Sequence, residues 1–230
     1  MKKSILVFLS ILLVCTDSVM AQGTLSPTDF EKKINTLQPQ LLDVRTAREY
    51  QSSHIKNALQ ADWLNKEQFA DRTQYLDKSK PVFVYCASGG RSGEAAKWLH
   101  DKGFTDVQNL QGGLSAWKME GRSVESVTNA AQLSVTKYAE LTQTSGTVLV
   151  DFGAEWCPPC KKMEPVIKQL QTDLANKFVF VKADGGNDIE VMKNEKVTAI
   201  PTFILYKNGK EIWRKQGIVE LTELKKRITE

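Results

Sequence analysis

The chain has 230 residues, enough for two domains of about 100 residues each. With 41% hydrophobic and 25% charged residues it has the composition of a globular protein, and domains of this size bury a core without disulfide staples. The net charge of +4 is scattered with no basic run, which argues against a clustered nucleic-acid footprint.

Residues 1–21 read as an export leader. Lys2-Lys3 is the charged start, Ile5 to Val14 the apolar stretch, and Val19-Met20-Ala21 a small-residue cleavage site before Gln22. The apolar stretch is too short to span a bilayer, which takes about 20 residues. Leu12-Leu13-Val14-Cys15 is close to a lipoprotein box, but Val14 fills the place of a small residue, so lipid anchoring at Cys15 is the lesser alternative. The expected location is exported, in the periplasm or another extracytoplasmic space. Three cysteines follow the leader, and an odd count in an oxidising compartment needs a reason.

The first half is expected over residues 22–121. Ser26-Pro27-Thr28-Asp29 predicts a helix start, with Phe30, Ile34 and Leu37 at helical spacing. Leu41 to Val44 and Pro81 to Tyr85 predict strands covered on both faces. Glu94 to Lys102 predicts a helix closed by Gly103, Val107 to Leu110 a strand, and Gly113 to Trp117 a helix start. This alternation implies a parallel α/β sheet. Cys86 then falls at the carboxyl end of a strand, where such sheets place ligands. Gly89 and Gly90 let the loop curl so that N–H groups point at one spot, and the following helix adds positive potential. Both favour the thiolate, the nucleophilic form. Arg91 offers a fork for an oxyanion, and Ser88 and Ser92 complete the loop.

These residues resemble the rhodanese (sulfurtransferase) family. The match runs through Leu42-Asp43-Val44-Arg45, Glu49-Tyr50, His54-Ile55 with Ala58, Cys86 to Ser92, and Asn109 to Gly113 with Trp117. The resemblance implies a persulfide carried on Cys86, an anionic sulfur donor such as thiosulfate bound with help from Arg91, and a structural turn from Asp43 and Arg45. Ser53, Lys56 and Asn57 depart from the family's usual glycine and Pro-Gly positions in a surface turn. A cysteine phosphatase is a competing reading, but its loop has five residues between Cys and Arg, and here there are four. A rhodanese-like domain used only for binding is another. His100 is expected to cap its helix and His54 to orient local backbone. Neither histidine, nor a single Cys-x-x-Cys, makes a zinc site.

Gly121 to Gln132 is small and polar, and residues 122–132 are expected to be a linker. The second half, residues 133–230, predicts a helix over Thr136–Thr142, strands over Thr147–Phe152, Lys177–Lys182 and Ile200–Tyr206, an Asn208-Gly209 hairpin into Glu211-Ile212-Trp213, and a closing helix over Thr222–Ile228. Cys157 opens a helix that Pro165 is expected to kink.

This half resembles thioredoxin through Val150-Asp151-Phe152, Ala154 to Lys161 with its Trp156-Cys157-Pro158-Pro159-Cys160 core, Pro165, Lys182 with Asp184, Ile200-Pro201-Thr202, Asn208-Gly209 and Gly217. The fold class implied is a rhodanese-like parallel-sheet α/β domain followed by a thioredoxin fold with a mixed sheet. The resemblance implies that Cys157 attacks substrate, Cys160 resolves to the Cys157–Cys160 disulfide, and Asp151, partnered by Lys182, takes the proton of Cys160 through water. Burial of Asp151 on a strand should raise its pKa into a useful range. Pro201 is expected to be cis and, with Ile200 and Trp156, to line a peptide groove. Gly153 and Pro158 depart from the usual aromatic and glycine; the two prolines remove backbone donors from the Cys157 sulfur.

The combined expectation is a thiol–disulfide oxidoreductase fused to a sulfurtransferase, needing no cofactor, metal or nucleic acid. Its partners are a sulfane-sulfur donor, disulfide-containing proteins, and an outside electron donor or acceptor. The alternative is a general disulfide reductase or oxidase whose first half only binds partners.

Overall fold

Eighteen elements order the chain in the computed structural model, which describes residues 21–126 and 131–230. Residues 1–20 of the leader, Cys15 among them, and residues 127–130 lie outside the described residues, so the leader reading is not addressed by the fold. In the first half the elements are β1 (Ala21–Leu25), α1 (Pro27–Leu37), β2 (Gln40–Asp43), α2 (Ala47–Ser52), β3 (Leu59–Gln60), α3 (Lys66–Thr73), β4 (Val82–Tyr85), α4 (Gly90–Asp101), β5 (Asp106–Leu110) and α5 (Gly113–Met119). The second half holds α6 (Val135–Thr142), β6 (Thr147–Gly153), α7 (Pro158–Asp173), β7 (Val179–Asp184), α8 (Ile189–Asn194), β8 (Thr202–Lys207), β9 (Lys210–Gln216) and α9 (Leu221–Thr229).

The first sheet is wholly parallel, in the order β1-β5-β4-β2-β3. Its central strand β4 is buried along its whole length, which is why Val82-Phe83-Val84-Tyr85 shows no alternation. The second sheet is mixed, in the order β7-β6-β8-β9, with β6 parallel to β7 and antiparallel to β8. Asn208 and Gly209, both at positive φ (51° and 77°), make the turn between β8 and β9 that the sequence marked.

Two expectations need correction. Helix α4 begins at Gly90, four residues before Glu94, so Arg91 and Ser92 stand on its first turn rather than in a free loop. The start of the linker is not loose. Glu125 forms an antiparallel bridge with His54, and Arg122 binds Glu31 and Thr28, so residues 122–126 pack on the first domain. Helix α7 runs through Pro165 as one element. No helix among the described residues is long and apolar enough to cross a membrane.

Candidate active sites

Cys86 follows the last residue of β4 and is 1% exposed. Its sulfur accepts hydrogen bonds from the Gly89 N–H at 3.1 Å and the Ser92 hydroxyl at 3.4 Å. Gly89 takes a left-handed φ of 97°, the conformation that turns its N–H back toward the sulfur. The loop is held from behind by α5, whose Leu114 and Ser115 N–H groups donate to the carbonyls of Cys86 and Ala87. A Cβ at Gly113 would collide with the Cys86 carbonyl, so glycine there lets α5 come this close. Burial alone would raise the Cys86 thiol. The Ser92 hydroxyl and the N–H groups of Ser92, Ser88 and Gly89 outweigh it and hold the thiol below its usual value. A Cβ at Gly90 would meet open space.

Arg91 does not present an empty fork. Both its terminal nitrogens bind Glu49, at 2.9 and 2.6 Å. That bond, the largest cause, draws the Glu49 carboxyl down to about 2. Glu49 also closes a capping box with Thr46 at the start of α2. Behind the loop, Arg45 grips Asp43 at 2.5 Å and donates to the Ser53 carbonyl at 2.6 Å, with both side chains of the ion pair buried.

In the second domain Cys157 and Cys160 form a disulfide, and Cys157 is the N-cap of α7, accepting from the Cys160 N–H at 3.4 Å. The Ile200–Pro201 bond is cis, and the Ile200 carbonyl lies 3.8 Å from the Cys157 sulfur. Asp151 pairs with Lys182 in the sheet register, yet its Oδ1 is buried without a hydrogen-bond partner. Burial raises its pKa to about 6, against a smaller opposing effect of Lys182. Gly153 stands beside it. A Cβ there would lie 3.2 Å from Asp151 Oδ1, and the residue borders a cleft of about 890 Å³.

The first domain reaches the second site through residues that carried no assigned role in the sequence. The Gln60 N–H donates to the Trp156 carbonyl at 2.8 Å. The Tyr50 ring lies 5.6 Å from the Trp156 ring, and the Arg72 guanidinium 5.1 Å from it. Gln51 donates to the Gly186 carbonyl. One apolar cluster thus runs from Tyr50 through Trp156 to Cys157, whereas Cys86 packs in another. Successive residues of α2 serve the two centres, Glu49 at Arg91 and Tyr50 at Trp156. The loop Cys86–Ser92 is brought together as a unit, and so is the group of Cys157, Cys160, Trp156, Ile200 and Pro201. Cys86 and Cys157 are not brought into contact. The Thr46-x-x-Glu49 capping signature was the readable sign of α2.

Among the described residues no cluster of side chains could hold a metal ion. The rhodanese-like family model matches residues 26–120 and the thioredoxin family model residues 129–230. A thioredoxin of Chlamydia trachomatis is 40% identical over 85 residues, covering 37% of this chain and 82% of that protein. Thioredoxin H2 of Arabidopsis thaliana is 40% identical over 92 residues, or 40% of this chain and 68% of that one. A bifunctional thioredoxin reductase/thioredoxin of Mycobacterium leprae is 29% identical over 56% of this chain, but the match spans only 27% of that protein's length. Among solved structures, mitochondrial thioredoxin 3 of Saccharomyces cerevisiae in its oxidised form is 35% identical over 41% of this chain and 88% of its own, with a TM-score of 0.38. A rhodanese-like domain from Anabaena is 28% identical over 47% and 83%, with a TM-score of 0.41. On the two family models and the curated thioredoxins, the second half is a thiol–disulfide oxidoreductase module and the first a sulfurtransferase-type module. Through its second half the chain belongs to the thioredoxin family, and that thioredoxin domain follows a rhodanese-like domain on the same polypeptide.

Proposed function

We propose that the protein is an exported sulfur-transfer and dithiol enzyme in which Cys86 carries sulfur and the Cys157–Cys160 pair reduces it. The Cys86 thiolate attacks the sulfane sulfur of a thiosulfate-like anion. The S–S bond of the donor breaks, sulfite leaves with its electron pair, and Cys86 holds a persulfide. Cys157 as thiolate then takes the outer sulfur, returning Cys86 to its thiolate. Cys160, deprotonated through Asp151, attacks the Cys157 sulfur and expels hydrosulfide. The sulfane sulfur has gained two electrons and the dithiol has lost two, so an outside donor must reduce the disulfide before another cycle.

The observation that carries this reading is the Cys86 cradle, where Gly89 N–H and Ser92 hydroxyl converge on a sulfur whose thiol is held low. Ser88, Gly90 and Arg91 complete the anion site, with Glu49 to be displaced from Arg91 by the donor. Asp43 and Arg45 support the loop, Lys182 supports Asp151, and Trp156, Ile200 and Pro201 guide the incoming sulfur compound or disulfide. Transfer needs the two domains to re-dock, because Trp156, next to Cys157, packs on Tyr50 and Gln60, while Cys86 lies in a separate buried cluster. Single-turnover release of sulfide from thiosulfate by pre-reduced protein is the test. The relay predicts that Cys157→Ser abolishes it; release at the wild-type rate refutes the relay. Export rests on the Lys2-Lys3 leader, and a secreted form beginning at Gln22 is its check.

A second reading is favoured by the occupied fork of Arg91. It makes the first domain a binding module of a general disulfide reductase or oxidase. It predicts that Cys86→Ala leaves insulin reduction intact and that no persulfide forms.

A further inference from the structure

We propose that the first domain is a lid on the dithiol: the face made by α2, β3 and α3 covers Trp156 and Cys157, and disulfides of other proteins are reduced only after that face has lifted. This goes beyond the relay and does not depend on it, since it needs only the dithiol.

The argument begins with exposure. Cys157 caps a helix at the edge of its domain, a position open to solvent in principle, yet it is 0% exposed, and Trp156 before it is 6% exposed. A thiol–disulfide exchange needs the attacking sulfur to be reached along the axis of the target's S–S bond. A folded protein cannot approach while the face is covered. Four contacts from the first domain lie on Trp156 and Gly186: the Gln60 N–H to the Trp156 carbonyl, Tyr50 and Arg72 against the indole, and Gln51 to the Gly186 carbonyl; Cys157 lies in the same buried cluster as Tyr50 and Trp156. The cover is incomplete on one side. A slot of about 600 Å³ remains between α3 and the Ile200–Pro201 loop, reaching Pro159 but not Cys157.

The cover is also built to release. Arg72 is 7% exposed, hydrogen-bonds only to the neutral Gln60, and has no carboxylate within ion-pair distance among the described residues. A buried cation with neutral partners is costly, and lifting returns the face on Trp156 to water. Beyond the apolar packing of Tyr50 on Trp156, the face is held by single hydrogen bonds from Gln60 and Gln51, each of modest net worth.

The experiment uses the pre-reduced full chain. Alkylation of Cys157 by iodoacetamide, read by peptide mass spectrometry, and reduction of insulin are measured in wild type, Gln51→Ala and Gln51→Glu. Loss of the bond to Gly186 is expected to raise both rates about two- to twelvefold. Gln51→Glu, which sets a carboxylate against a carbonyl, should exceed it. Alkylation of Cys86 should not change, which separates lifting from general loosening. Unchanged Cys157 and insulin rates in both variants overturn the lid. A second measurement needs no variant of the interface. Cys160→Ser is trapped as a mixed disulfide with a small protein carrying one thionitrobenzoate-activated cysteine. Hydrogen exchange at the Gln60 amide should then lose the protection it has in the free chain; retained protection overturns the lid.

Discussion

Replacing Asp151 by Ala should stabilise the second domain at pH 8 and destabilise it at pH 4. The carboxyl sits on β6 with one oxygen buried and unpartnered, and its pKa stands at about 6 against an ordinary 3.8. A folded-state pKa raised above the unfolded one means that the protonated form favours folding. That contribution is fully present below pH 3.8 and is lost as the pH rises through about 6. The gap is worth about 3 kcal/mol, since each pH unit is about 1.4 kcal/mol. Truncation to Ala removes this penalty but leaves a small void, a loss of about 1 kcal/mol. The net gain at pH 8 is then about 2 kcal/mol, and the balance reverses between about pH 4 and 5. Urea titration of the oxidised chain, read by hydrogen exchange on peptides of β6 and β7, should show a midpoint about 1 M higher at pH 8 for a slope near 2 kcal/mol/M. A difference that stays constant between pH 4 and pH 8 would refute the reasoning, because it would mean that Asp151 does not ionise against burial.

Four further outcomes are expected. Ser92→Ala removes the hydroxyl at 3.4 Å from the Cys86 sulfur, so alkylation of Cys86 at pH 7 should slow about tenfold and its pH profile should move upward. Glu49→Gln frees the fork of Arg91, and persulfide formation, followed by mass, should saturate at about two- to fivefold lower thiosulfate, a modest change because the pair is partly exposed. The Glu49–Arg91 pair contributes above pH 4.5 and is lost only as the pH falls through about 2, so the pH dependence of sulfur loading between pH 5 and 8 should follow Cys86 instead. Asp43→Asn leaves Arg45 buried without its carboxylate and should lower the stability of the first domain by about 3–5 kcal/mol in denaturant titration.

What the sequence made legible was local. Val82 to Tyr85 announced a covered strand because both of its faces are buried, and Cys86 at its end, with Gly89 three residues on, defined a cradle within one turn of chain. Asn208-Gly209 defined its own hairpin. What escaped was short or distant. Strand β1 carries Gln22-Gly23-Thr24 and pairs on one side only, with β5, so no apolar run marked it. Strand β3 is two residues long, and α3 is a polar helix of eight residues. The partner of Arg91 lies 42 residues away in the sequence, and the residues resting on Trp156 lie on another domain. No spacing rule connects such positions. Only the packing of α2, β3 and α3 against the second half does.

That position of α2 joins the lid to the relay. Tyr50 packs on Trp156 from the same helix on which Glu49 holds Arg91, and Cys157 and Cys86 lie in different buried clusters, so the proposed relay requires Cys157 to leave its place beside Trp156. Reduction of an outside protein needs the same departure. If one opening limits both, a variant that favours it must raise both rates in the same ratio. Gln51→Ala is such a variant, because Gln51 bonds the second domain at Gly186 and touches neither sulfur. Insulin reduction and single-turnover sulfide release should therefore rise together, by about two- to twelvefold. A rise in insulin reduction with no rise in sulfide release would mean that opening does not limit sulfur transfer, and that the persulfide of Cys86 is delivered to an acceptor other than Cys157.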